Sequence, residues 1–213
     1  YTGLYNITQC LPCPGGYYCD QEGQTDYTKQ CSAGFYCRLG AASATPTEDN
    51  DANECPAGFY CPAFSNEPQK CPLGTFSNNV RLTIASACLP CTAGYYCGEL
   101  NLTRPNGQCY GGYYCPNGSS SPMQMDCPAG AYCVNGSSAP ALCLKGTYSN
   151  QTNLKAVNEC DPCPGGFYCE TEGLTAPTGL CGEGYYCPQG SIYKEPNDTY
   201  CPIGHYCPSG VSQ

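Results

Sequence analysis

The stretch CPAGFYCPAFSNEPQKCPLGTFSNNVRLTIASACLPCTAGYYC, residues 55–97, contains three copies of one motif. Each opens Cys-x-x-Gly and carries an aromatic residue two places after the glycine: Gly58 with Tyr60, Gly74 with Phe76, Gly94 with Tyr96. Outward from there the same opening recurs along the whole chain. It stands at Cys13, Cys31, Cys55, Cys71, Cys91, Cys109, Cys127, Cys143, Cys163, Cys181 and Cys201, which define repeats 1 to 11. Nine copies continue to a closing Tyr-Cys; repeats 4 (CPLGTFS, 71–77) and 8 (CLKGTYS, 143–149) do not. Successive openings are 18, 24, 16, 20, then 18, 18, 16, 20, then 18, 20 residues apart, so a higher period of four lies over the repeat. One superunit covers 13–90, a second 91–162, and a third, 163–213, is cut short; residues 1–12 read as the end of a preceding repeat. A Cys-x-Pro-Cys link precedes each superunit: CLPC (10–13), CLPC (88–91) and CDPC (160–163). Fixed periods of this kind mark an array of small stacked units.

The repeat predicts its own local structure. A glycine at one phase in all eleven copies implies a backbone angle that other residues resist, φ > 0 in a turn. The Gly-aromatic-Tyr-Cys step has strand-like composition, and a second turn follows the closing cysteine, as in PNGSS (116–120) and VNGSS (134–138). Turn, short strand and turn leave no room for a helix, and no 3.6-residue apolar period appears. The expected fold is small and disulfide-rich: an elongated tandem array of short β-hairpin and turn repeats, almost without helix and without a large hydrophobic core.

Composition agrees. Among 213 residues there are 23 Cys, 26 Gly, 20 Pro and 20 Tyr, while Leu, Ile, Val and Phe together number only 26. Burial of so few aliphatic residues cannot hold a chain of this length, and without its cysteines it would read as disordered. Chain-entropy arithmetic gives about 2.4 kcal/mol for a bridge closing seven residues and about 3.2 kcal/mol for eighteen. Ten or eleven such bridges outweigh the core, with tyrosines stacked on disulfides and on neighbouring repeats as a thin, continuous seam. No apolar run approaches the ~20 residues of a membrane-spanning helix. Eight Lys and Arg against seventeen Asp and Glu, a net charge of −9, exclude the basic footprint of a nucleic-acid binder.

Twenty-three cysteines with a single histidine favour a disulfide framework over metal–thiolate sites, and hence an oxidising, extracellular location. Six Asn-x-Ser/Thr sequons, at Asn6, Asn101, Asn117, Asn135, Asn150 and Asn197, point the same way. With no initiating Met and no signal peptide, the chain reads as a mature or excised segment. The Cys-x-x-Cys pairs have zinc and thiol-exchange readings, but their place in a regular ladder favours structural bridging. His205 stands where other copies carry Tyr, Phe, Thr or Ala, and no partner base accompanies it, so a surface substitution is the plainer reading. The acidic loop TEDNDANEC (47–55), Glu48 to Glu54, occupies the one spacing that expands. Asp49, Asp51, Asn53 and Glu54 offer oxygen ligands, but the EF-hand register fails, with Glu54 and Tyr60 where Gly and Glu belong. A solvated acidic insertion is expected. No nucleophile–base set or carboxylate pair breaks the repeat phase, so neither enzyme chemistry nor a cofactor is expected.

The stretches CPLGTFSNNVRLTIASACLPCTAGYYC (71–97) and CLKGTYSNQTNLKAVNECDPCPGGFYC (143–169) resemble the ephrin-receptor-like cysteine-rich repeat of the growth-factor-receptor class. Similar repeats occur in receptor ectodomains, large secreted proteins, and fibrous surface proteins such as flagellar hairs (mastigoneme-like proteins). The resemblance implies a pairing rule in which the first Cys of the link closes the preceding loop. Carried over, Cys71 pairs with Cys88 and Cys143 with Cys160, and Cys10 pairs upstream of residue 1. For the other cysteines local bridges are preferred: Cys13–Cys19, Cys31–Cys37, Cys55–Cys61, Cys91–Cys97, Cys109–Cys115, Cys127–Cys133, Cys163–Cys169, Cys181–Cys187 and Cys201–Cys207. Pairing across the longer loops, as Cys19 with Cys31 or Cys37 with Cys55, stays open. The function expected is that of a non-enzymatic extracellular structural glycoprotein. It would form or decorate a fibril, flagellar hair or cell-surface coat, with further copies of itself or adjoining repeats as partners. A ligand-binding or adhesion segment of a receptor ectodomain is the alternative.

Overall fold

The computed structural model describes residues 10–24, 26–47 and 52–213. Among the described residues, regular structure consists of eight two-stranded antiparallel hairpins and two single-turn 3₁₀ segments, Ala85–Ala87 and Val157–Glu159. In each hairpin the aromatic step of one repeat pairs with the two or three residues just before the next opening cysteine. Phe35–Cys37 thus pairs with Ala52–Glu54, Phe59–Tyr60 with Gln69–Lys70, and Tyr113–Tyr114 with Met125–Asp126. Repeats 1 and 10 make the same pairing as single bridges, Tyr17 with Gln30 and Tyr185 with Tyr200. Two second strands end in proline, Leu89–Pro90 and Asp161–Pro162, which is tolerated because a two-residue edge strand has no further neighbour to donate to.

The repeated glycine behaves as its sequence phase predicts: all eleven have φ between +78° and +88°. Each sits in a tight turn closed by a backbone bond from the following residue to the residue after the opening cysteine, as from Phe59 N–H to Pro56 O at 3.2 Å. Positive φ at the third position of such a turn is the type II requirement that glycine meets without strain.

The chain divides into two compact units. One consists of Tyr1–Cys91, Cys97–Asn106 and Gly118–Ser120; the other of Thr92–Tyr96, Gly107–Asn117 and Ser121–Gln213. The division runs through repeats 5 and 6, its first break falling between Cys91 and Thr92. Within each unit the interior is made of sulfur. Apart from cysteines, the buried apolar residues among those described are Ala41, Ala131 and Leu154. Eleven disulfides join the cysteines: the nine local pairs from Cys13–Cys19 to Cys201–Cys207, and the longer Cys71–Cys88 and Cys143–Cys160. Repeats 4 and 8, which lack a closing cysteine, bury Ser77 and Ser149 in its place. Ser77 Oγ accepts from Asn79 N–H at 3.1 Å, and Ser149 Oγ from Gln151 N–H at 3.2 Å, so neither hydroxyl is stranded.

Candidate interaction surface: the ladder between repeats

Four backbone hydrogen bonds join each repeat to the next. At the first step Gly16 N–H donates to Cys37 O, Cys31 N–H to Gly16 O, Gly40 N–H to Cys13 O and Cys19 N–H to Ala41 O, at 2.7–2.9 Å. The same set recurs, one repeat on, at every step within the two units. In the second unit Gly112 N–H donates to Cys133 O, Cys127 N–H to Gly112 O, Gly136 N–H to Cys109 O and Cys115 N–H to Ser137 O. No side chain takes part. The register is set by where the cysteines and glycines fall, which is why the intervening loops vary freely in length and composition.

The ladder shows that the second turn holds a second left-handed position, which the sequence advertises only where glycine stands there. The donor to each opening cysteine's carbonyl always has positive φ. Gly40, Gly118, Gly136, Gly173, Gly190 and Gly210 serve there, but so do Phe64 (φ 73°), Arg81 (61°), Asn101 (56°) and Asn153 (62°). Three of these four residues are compensated. Arg81 Nε pairs with Glu54 Oε2 at 2.7 Å, and its guanidinium lies 5.2 Å from the Phe35 ring centre. Asn153 Nδ2 donates to Gly112 O at 2.8 Å and to Asp126 Oδ1 at 2.9 Å. Phe64 packs edge-on against Tyr17, centroids 4.4 Å apart. Asn101 belongs to the residue type that tolerates this region best.

The carbonyl of that same residue reaches the repeat two places earlier. A Cβ built on Gly16 would stand 2.7 Å from Phe64 O, one on Gly34 3.0 Å from Arg81 O, and one on Gly112 2.7 Å from Asn153 O. The glycine of each of repeats 1 to 9 is buried against such a carbonyl. The glycine is therefore required twice, for its φ and for the missing side chain. Gly184 and Gly204, of repeats 10 and 11, are exposed, and a Cβ there would meet nothing within 4 Å.

Tyrosines complete the contact. Tyr18 packs on Cys31, Cys37 and Ala41 of the following repeat, Tyr114 on Cys127, Ala131 and Cys133, and Tyr132 on Cys143, Leu154 and Cys160. The expected seam of rings on neighbouring disulfides is present at these three steps. At repeat 11, by contrast, Ile203 and Tyr206 are almost fully exposed.

The remaining candidate residues are scattered over the surface. Asn101, Asn117, Asn135, Asn150 and Asn197 are all exposed, and Asn6 lies outside the described residues. Asn117 and Asn135 are held alike: Oδ1 accepts from Ala93 N–H at 2.9 Å and from Gly111 N–H at 2.7 Å respectively. Cys10 is exposed and makes no disulfide among the described residues. Glu48, Asp49 and Asp51 lie outside the described residues. Asn53 and Glu54, read from sequence as part of a solvated insertion, instead belong to the strand Ala52–Glu54 paired with Phe35–Cys37, because that place belongs to the hairpin whatever its composition. No group of three His, Cys, Asp or Glu side chains converges on a metal-sized site among the described residues. His205 is exposed. No helix there is long and apolar enough to cross a membrane.

No protein-family model matches the chain, and no curated protein sequence does.

Proposed function

We propose that the chain is a segment of an extracellular structural glycoprotein, built to extend a fibril, flagellar hair or surface coat by stacking one disulfide-linked repeat on another. The observation that carries this reading is the backbone ladder. An interface whose hydrogen bonds all join main-chain groups makes few demands on the side chains around it, so repeats of different composition fit one another. Such an interface suits extension better than selective recognition, which works through particular anchoring side chains. The density of disulfides supports a location outside the reducing cytosol, and the exposed sequons support covalent glycans. The likeness to ephrin-receptor-like repeats belongs to the same proposal, as does the absence of enzymatic chemistry.

Cys10 occupies the place in its Cys-x-Pro-Cys link that Cys88 and Cys160 occupy in theirs, and both of those bridge back to an opening cysteine. We assign Cys10 the same role, with a cysteine outside this sequence. Electron microscopy of the native material under non-reducing conditions, with mass spectrometry of its disulfide-linked peptides, tests the reading. Glycan-coated fibrils with Cys10 bridged to an upstream Cys-x-x-Gly-Thr peptide are expected. Discrete monomeric particles with Cys10 as a free thiol would overturn it and favour a receptor or adhesion module.

A further inference from the structure

An open groove of about 930 Å³ crosses repeats 6 to 8, lined by Tyr110, Tyr113, Val134, Asn135 and Lys155 among others. Asn135, at its edge, begins the sequon Asn135-Gly136-Ser137. Its side-chain orientation is settled by chemistry: the Gly111 N–H at 2.7 Å can only donate, so Oδ1 faces it and Nδ2 is left free of that bond. Nδ2 is the atom that carries an N-linked glycan. Attachment joins C1 of the first sugar to Nδ2, with loss of one amide proton and departure of the lipid diphosphate of the cell's oligosaccharide donor.

The sequon one repeat earlier is an internal control. Asn117 is pinned by the same bond to Ala93 N–H. Tyr95 stands there as Tyr113 does here, but the other lining positions differ: Thr92, Ala93, Pro116, Gly136 and Ser138 stand where the groove has Tyr110, Gly111, Val134, Asn153 and Lys155, so the ring of Tyr110 and the cation of Lys155 are both missing. We propose that the groove docks the core N-acetylglucosamine residues of the glycan on Asn135, while the glycan on Asn117 projects freely. Tyr110, more than half exposed, and Tyr113 offer flat apolar bodies with a hydroxyl at the tip, suited to the C–H face and ring oxygens of a sugar. Lys155 adds a cationic donor for the acetamido carbonyl or a hydroxyl. The groove is of the size that takes a small ligand rather than a folded partner, and the one ligand covalently delivered to its edge is this sugar.

The inference rests on the glycoprotein reading above. Its test uses the chain secreted from a eukaryotic host, digested in the folded, oxidised state with peptide-N-glycosidase and read site by site by peptide mass spectrometry. The glycan on Asn135 is expected to be released at least ten-fold more slowly than that on Asn117. Tyr110→Thr, which installs the residue repeat 5 already carries, should bring the two rates together. Equal rates in the unsubstituted protein, or a difference that survives Tyr110→Thr, would overturn the docking. An unmodified Asn135 beside an occupied Asn117 overturns it also, while sparing the glycoprotein reading. A secreted chain bare at every sequon overturns the glycoprotein reading itself, and the docking with it.

Discussion

Replacing Gly112 by alanine would place a methyl group 2.7 Å from the carbonyl oxygen of Asn153 while holding an L-residue at φ +88°. The left-handed conformation alone costs about 1–2 kcal/mol, and displacing packed backbone adds a similar amount. Gly112→Ala should therefore lose about 2–4 kcal/mol of local stability. Gly184→Ala, with open space around it, should lose only about 1–2 kcal/mol. Native-state hydrogen exchange at the flanking amides separates the two, and equal losses would mean that the carbonyl contact contributes nothing. A second pair of substitutions probes the other left-handed position. Asn153→Ala removes two hydrogen bonds and tolerance of positive φ, for about 1–3 kcal/mol, whereas Asn153→Gly, the residue found there in most copies, should stay within about 1 kcal/mol. The same exchange measurement decides it. The first glycine was legible in the sequence because one letter recurs at one phase. The second position was legible only as a turn in copies such as PNGSS and VNGSS, because Phe64, Arg81, Asn101 and Asn153 disguise it elsewhere and its distance from the closing cysteine shifts. The carbonyl contact across two repeats has no side-chain signature at all.

A hairpin of two residues per strand is too small to persist alone in water. Ala131–Tyr132 paired with Ala141–Leu142 survives because Cys127–Cys133 closes its turn and the ladder holds its flanks. The double substitution Cys127→Ser, Cys133→Ser should cost about 2–3 kcal/mol, as loop-closure entropy predicts for so short a ring. Its effect should be confined: exchange and protease cleavage rise around residues 127–142, while Phe167–Tyr168 with Gly179–Leu180 stays protected. Unfolding throughout the second unit would show instead that the repeats melt as one. At this scale the sequence disclosed the aromatic strand of each hairpin but not its partner. Gln69–Lys70, Met125–Asp126 and Asp161–Pro162 have no strand-like composition, and they pair because the next opening cysteine draws them in. The same reason accounts for Ala52–Glu54 inside a run of acidic residues.

Covalent and main-chain forces carry most of this fold. Asp20 is held below its usual carboxylate value chiefly by its hydrogen bond from the Lys29 ammonium, and Lys29 is raised by the same bond. Partial burial, with Tyr200 beside it, raises Tyr185. The lowered carboxyl supports the fold above its ordinary value of 3.8 and ceases to as pH falls through its depressed one. The raised lysine and tyrosine support it below their ordinary values of 10.5 and 10.0 and cease to as pH climbs through their raised ones. Asp20 and Lys29 are exposed, so the effect is small. Resistance to proteolysis should accordingly be flat from about pH 5 to 9, and a marked optimum inside that window would point to a further charge network. Reduction is the contrary case. With dithiothreitol, protection should vanish across both units, because 26 aliphatic and phenylalanine residues cannot sustain a fold of this length.

The reach across two repeats also dictates an order of manufacture. A chain threaded into an oxidising compartment from its amino end can close the Cys13–Cys19 ring at once, since both thiols arrive together. Gly16, however, finds the carbonyl it packs against only when Phe64 has emerged, and Gly112 must wait for Asn153. In repeats 1 to 9 the newly made turn thus stays incompletely packed while two more repeats are synthesised, and this trailing window of loosely held repeats is where a wrong thiol pairing can still be exchanged for the right one.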